Sequence, residues 1–213
     1  PECKEDVVAY ANRVVNGFKE DMTNLVRQYD KECTIFYNAG HVGPSIRESL
    51  DTYSHLELES LPSGGWGYSH FPITVRFARN LGKEYLGMTG KFHKSWADFG
   101  GFKNQASLEY ECFMSLAYGA KCSIGDQLYP SGEINKATYE LIGSVFNQVK
   151  EKEAWCDDVT GVSEIGVFPP EAIEESHIRL HPSIQGVFRM LTETHYQFDI
   201  IDDKIDFNRY KVI

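Results

Sequence analysis

The stretch SHLELESLPSGGWGYSHFPITVRFARNLGKEYLGMTG, residues 54–90, reads as strand, loop, helix and strand in succession. In SHLELES (54–60), Leu56 and Leu58 alternate with His55, Glu57 and Glu59. Strand side chains alternate between faces, so the leucines point to a covering layer and the acids to something that tolerates or needs charge. FPITVRFARNLG (71–82) carries Pro72 in its first turn and Gly82 beyond its end, the asymmetry that helices prefer. KEYLGMTG (83–90) is strand-like again. Strand, helix and strand make a crossover unit, and crossover units build parallel sheets.

The same rhythm extends outward. Residues 4–29 place Val7, Ala11, Val14, Val15, Phe18, Met22, Leu25 and Val26 at helical spacing. CTIFYNAG (33–40) is a β-rich run, and GPSIRESL (43–50) a helical turn. NQASLEYECFMSLAYGA (104–120) is a helix with Asn104 as its cap and Gly119 as its terminator. KCSIGD (121–126) is a strand, and NKATYELIGSVFNQVKEKEAW (135–155) a helix. Strands near residues 35, 57, 86 and 123, with helical segments between them, amount to the second half of a (β/α)8 barrel. The alternative is an open doubly wound sheet. The unusual residues all follow strands: Asn38, Glu59, the 90–103 loop and Asp126. That favours the barrel, whose active residues sit at the C-terminal ends of its strands. After Trp155 the pattern restarts with strands at 161–168, 197–202 and 210–213, a proline-led connector at 169–176 and a helix at 183–196. The chain therefore divides into residues 1–155, the barrel half, and 156–213, the start of a second α/β domain.

Of the 213 residues, 42% are hydrophobic and 24% charged, as in ordinary globular chains. A net charge of −10 argues against a nucleic-acid partner, which needs a basic face. Five cysteines, an odd count without C-x-x-C spacing, signal neither a disulfide framework nor a zinc site. Reduced, cytoplasmic thiols are the expectation, with no metal and no organic cofactor. No apolar run approaches the ~18 residues of a membrane helix, so no membrane partner is expected. The chain opens on Pro1 and stops at RYKVI (209–213), a strand just begun; both ends read as cut.

Glu59 is the sharpest candidate for chemistry, because it closes a strand just before Pro62 and the Gly64–Tyr68 loop. A carboxylate there suits sugar chemistry, in which paired carboxylates flank the scissile bond; a structural acid bonded to Arg or to backbone is the competing reading. Glu57, one pleat deeper, is expected to be buried and paired with an Arg or Lys, and His55 to be a hydrogen-bonded core histidine. Loop 87–103 gathers Lys91, His93, Lys94, Trp96, Asp98 and Lys103 among glycines and aromatics, a mixture common in functional loops. Trp66 and Trp96 offer stacking faces for a sugar ring or, equally, packing anchors. Asp126 and Gln127 at a strand end, like Asn38, suit sugar hydroxyls or a turn cap.

ELESLPSGGWGYSHFP (57–72), YLGMTGKFHKSWADFGGFK (85–103) and LAYGAKCSIGDQLYPSG (116–132) together resemble the last half of the catalytic barrel in large bacterial glycoside hydrolases. These are relatives of the trimeric β-galactosidases, with a branch associated with α-L-fucosidase activity. EIGVF (164–168), GVFRMLTETHYQFDIID (186–202) and YKVI (210–213) look like the beginning of their trimerisation domain, a flavodoxin-like α/β module. The resemblance implies a glycosidase that cleaves a β-galactoside or an α-L-fucoside, a homotrimer, and no cofactor. It implies that Glu59 is the nucleophile, with the second carboxylate upstream of this sequence. In the fucosidase-like branch, Glu59 would instead be an acid/base or binding residue. Asn38, Trp66, Lys91, His93, Trp96, Asp98, Asp126 and Gln127 would form the sugar subsites. Two rivals stand beside it: a non-catalytic carbohydrate-binding or oligomerisation module, and a barrel enzyme of another reaction class.

Overall fold

The computed structural model describes residues 3–172 and 180–213; the last part of the predicted 169–176 connector lies outside them. Helix α1 (Lys4–Tyr29) leads through a 3-10 segment (Pro44–Thr52) into β1 (His55–Glu59). Then come α2 (His70–Ala78), β2 (Glu84–Gly90), α3 (Gln105–Ala117), β3 (Lys121–Gly125) and α4 (Lys136–Cys156). The remainder gives β4 (Ile165–Val167), α5 (Pro182–Glu193) and β5 (Phe198–Ile200). The fold is mixed α/β with two small parallel sheets, β1-β2-β3 and β4-β5. Asn104 and Asn135 cap α3 and α4 by accepting from the backbone N–H of Ser107 and Thr138, and Gly119 ends α3 at φ 73°.

The alternation read in SHLELES sets the two faces of the larger sheet. Leu56 and Leu58 are fully covered; His55, Glu57 and Glu59 stay partly open on the other face. In the register, Glu57 pairs with Leu86 and Glu59 with Met88, while Leu58 pairs with Gly87. Gly87 is the point of close approach on the covered face. A Cβ there would overlap Ser115 Oγ and come within 2.8 Å of the Phe71 ring. Gly87→Ala is expected to lower unfolding stability by about 1–3 kcal/mol through overpacking. Urea denaturation reads it out, and an unchanged midpoint would show that α2 and α3 have room to yield.

Two expected strands are not formed as such. Residues 33–40 are not a strand, so the larger sheet has three strands among the described residues, not four. Ser54 explains the loss. Its backbone N–H donates to the Ile35 carbonyl at 2.8 Å, and its hydroxyl bonds both the N–H and the carbonyl of Ile35. Side-chain bonds of this kind compete with a ladder, and the contact stops at one residue. YKVI is reduced to a single bridge, Ile165 to Val212. A 3-10 turn at Phe207–Arg209 precedes it, and the Tyr210 hydroxyl is drawn to Asp199 at 2.9 Å.

One apolar cluster runs from Leu56, Leu58, Val75 and Phe77 to Ile184, Leu191, Phe198 and Ile200, so the β4-β5 region packs directly behind α2. Polar contacts reinforce that junction. Arg79 pairs with Asp199 and donates to Ser163 Oγ and the Phe198 carbonyl, and Arg47 pairs with Asp202. Arg76, 3% exposed, lies against the rings of Phe198, Tyr118 and Phe188 at 4.2, 4.5 and 5.5 Å; burial pulls its pKa below the usual arginine value. A second cluster joins α3 to α4 through Leu108, Cys112, Val145 and Val149. Helix α1 attaches by polar bonds, Lys19 to Ser49 and Thr23 to Tyr37. Its Val14, Val15, Phe18 and Leu25 remain exposed.

Candidate active site

The C-terminal ends of β1, β2 and β3 form one rim, because parallel strands end on the same side. Glu59 is the last residue of β1. The next residue fixes its position: Ser60 N–H donates to the Met88 carbonyl at 2.8 Å, and Ser60 Oγ is 3.1 Å from His70 Nδ1. The His70 ring in turn meets Trp66 edge-on at 4.9 Å and lies 5.9 Å from His41, which pairs with Glu171. No short motif links Ser60, His70, His41 and Glu171, and the sequence reading missed them all.

Loop 91–103 closes on itself. Lys91 N–H donates to the Gly125 carbonyl at 3.0 Å, and Lys103 N–H to the Lys91 carbonyl at 2.8 Å. Compact loops whose ends meet are self-packed units. Two lysines hold this one from inside. Lys91, 3% exposed, donates its Nζ to the Phe99 carbonyl at 2.9 Å and sits over the rings of Phe92 and Phe102. Lys103 pairs with Glu111 and donates to Thr89 Oγ1 at 2.9 Å. Lys91 is thus buried, with its ammonium engaged inside the loop. Asp98 Oδ2 accepts from Lys94 N–H at 3.4 Å and packs on Gly101, shaping the same turn. Phe99 at the loop tip stacks on Tyr129 of the next loop, centroids 6.2 Å apart.

Trp96 is the residue this loop brings to the rim. Its ring lies on Gly90 and Gly125, which face each other at the ends of β2 and β3. A Cβ at Gly125 would overlap the ring. Gly90 is one pleat beyond Met88, the partner of Glu59. Strand spacing and rise put Gly90 roughly 8 Å from Glu59. Two buried polar atoms in this region, Trp96 Nε1 and Asp126 Oδ2, have no hydrogen-bond partner among the described residues. Glu59 forms no side-chain hydrogen bond or ion pair among them either. Buried polar groups normally find partners, so unengaged groups on a common rim form a polar set open to a ligand. Asn38, His93 and Gln127 are exposed on the surrounding loops, and Trp66 is half-buried against His70.

Glu57 departs from its expected pairing. Its partner is neither Arg nor Lys but His55, whose Nε2 lies 3.4 Å from Glu57 Oε1, with side chains 20% and 15% exposed. His55 is hydrogen-bonded, as expected, with Nδ1 3.0 Å from Ser54 Oγ.

No family model and no curated protein matches the chain. Among solved structures, alpha-L-fucosidase isoenzyme 2 from Paenibacillus thiaminolyticus matches all of it, at 41% sequence identity and a TM-score of 0.94. The chain spans 33% of that enzyme's length. Along its whole length, this α/β chain is similar to about a third of a glycoside hydrolase.

Proposed function

We propose that the chain is the second half of a (β/α)8 glycosidase barrel (1–155) with the start of a trimerisation-like domain (156–213). In this reading it contributes one carboxylate to the cleavage of an O-glycosidic bond. The observation that supports this reading is the whole-chain match to an α-L-fucosidase, and we take an α-L-fucoside rather than a β-galactoside as the proposed substrate. Glu59 is the carboxylate, acting either as nucleophile or as acid/base. Trp96 and Asp126 contact the sugar, since their buried polar atoms are unengaged. Asn38, Trp66, His93 and Gln127 border the site, and Lys91 and Asp98 keep its loop in shape. The working state is a cytoplasmic homotrimer without metal or organic cofactor.

A sheet with one open face supports a further expectation for the chain by itself. The edges of β1 and β3 and the apolar stripe of α1 lack a covering layer among the described residues, and the His55–Glu57–Glu59 face is only partly covered. Open edges favour association. The 213-residue chain should therefore self-associate in light scattering and hydrolyse neither aryl fucosides nor aryl galactosides at a useful rate. Turnover near the usual enzyme median of about 10 per second would sink the half-barrel reading, and a concentration-independent monomer would count against it. Binding of free L-fucose by a complete barrel without any turnover would instead favour the non-catalytic carbohydrate-binding module.

A further inference from the structure

Two of the five cysteines meet in the core between α3, β3 and α4. Cys112 on α3 is 2% exposed, and Cys122 on β3 is half-buried. Cys122 Sγ donates to the Cys112 carbonyl at 3.2 Å. Both belong to the cluster that locks α3 against β3. A disulfide needs two Cβ atoms about 3.5–4.5 Å apart. The 3.2 Å contact sets the Cys122 sulfur directly against the residue that would be its partner. Among the described residues the other thiols make no hydrogen bond to a cysteine: Cys33 is exposed, Cys3 lies at the start of α1, and Cys156 ends α4 at the border of the same cluster.

We propose that Cys112 and Cys122 form a redox couple that hydrogen peroxide closes to a disulfide, tying α3 to β3 just before Asp126. Cys122 reacts first. It is the more accessible thiol, and the neighbouring Cys112 holds it below the usual thiol range against the opposing effect of burial. Cys122 in turn, together with burial, pushes Cys112 up. The Cys122 thiolate attacks one peroxide oxygen, the O–O bond breaks, and the departing hydroxide takes a proton to become water. This leaves a sulfenic acid on Cys122. Cys112 then attacks the Cys122 sulfur. The S–S bond forms, the S–O bond breaks, and the thiol proton leaves with the hydroxide as a second water. Two thiols are oxidised by two electrons in all, and one peroxide is reduced. The second step is internal, so the burial of Cys112 does not hinder it. The couple is independent of any glycosidase activity.

Trypsin makes the test direct, because Lys121 lies between the two cysteines and separates peptide 104–121 from peptide 122–136. The folded chain is treated with hydrogen peroxide, its free thiols are alkylated, and it is digested without reductant. Expected are the joined pair of peptides, lighter by two hydrogens than their sum, a loss of two of the five thiols, and full reversal by dithiothreitol. In Cys112→Ala, the sulfenic acid on Cys122 should persist and be trapped by dimedone. Cys122→Ser should leave Cys112 a free thiol, with circular dichroism reporting that each variant has folded. Over-oxidation of Cys122 in the unmutated chain while Cys112 stays reduced would overturn the proposal. So would a disulfide joining either residue to Cys33 or Cys156 in its place.

Discussion

In a polypeptide that carries these residues within a complete barrel, Glu59→Gln is expected to lower kcat on an aryl α-L-fucoside by on the order of a thousandfold. Thermal unfolding should stay in place. Glutamine keeps the shape and the hydrogen-bonding capacity of glutamate and removes its charge. A thousandfold loss corresponds to about 4 kcal/mol of transition-state stabilisation, a reasonable share for a nucleophile or a charge stabiliser. Within this chain the Glu59 carboxylate has no hydrogen-bond or ion-pair partner among the described residues, so neutralising it breaks no contact there. Glu57→Gln is the control on the same face. Within this chain it loses only the 3.4 Å contact to His55, which should cost about 0.5–1.5 kcal/mol. In a retaining mechanism, a fluorinated slow substrate also leaves a sugar on the nucleophile, and peptide mass spectrometry identifies where. A label on another carboxylate would assign Glu59 the acid/base or binding role. Unchanged turnover in Glu59→Gln would remove it from the catalytic pair.

Elements whose side chains state their own geometry were legible in the sequence. The alternation around Leu56 and Leu58, the Asn104 and Asn135 caps and Gly119 as a terminator all reappear where pattern and capping chemistry put them. The 33–40 run has strand propensity, but a partner serine on a neighbouring segment captured its one contact residue, and no local pattern reveals that. The site divides the same way. The place of Glu59 at the end of β1 was legible because a strand end followed by a Gly-rich loop is a local feature. The burial of Lys91 was not, because solvent-facing and buried lysines read alike until the loop folds over them. The Ser60–His70 contact joins residues ten positions apart through a turn around Pro62 and Gly65. The second apolar cluster, with its paired thiols, depends on how α3 meets β3 and α4, which spacing along one element cannot supply.

The largest stability effect should come from the pair Lys103–Glu111, whose side chains are 1% and 5% exposed. Lys103 donates to Glu111 and to Thr89 Oγ1, and Thr89 Oγ1 donates to the same carboxylate oxygen. The other oxygen, Glu111 Oε1, is buried and unpartnered among the described residues. Burial pushes the Lys103 ammonium below its ordinary pKa, and Glu111 opposes that shift. The pair is thus held by mutual compensation in a desolvated place. Removing one partner leaves the other as an uncompensated buried charge, which costs about 3–5 kcal/mol. Lys103→Met and Glu111→Gln should each show that loss in urea unfolding. The double replacement Lys103→Met with Glu111→Leu should recover much of it, because apolar groups of similar volume often replace a buried ion pair at little cost. The pair also anchors the exit of the 91–103 loop, where Lys103 N–H bonds the Lys91 carbonyl. The single variants should therefore loosen the loop and unseat Trp96 from Gly90 and Gly125, seen as a red shift of tryptophan emission below the unfolding midpoint. Single variants within about 1 kcal/mol of the parent would mean that water reaches the pair in solution, and the loop would then owe its shape to Lys91 and the Phe92–Trp96 contact instead.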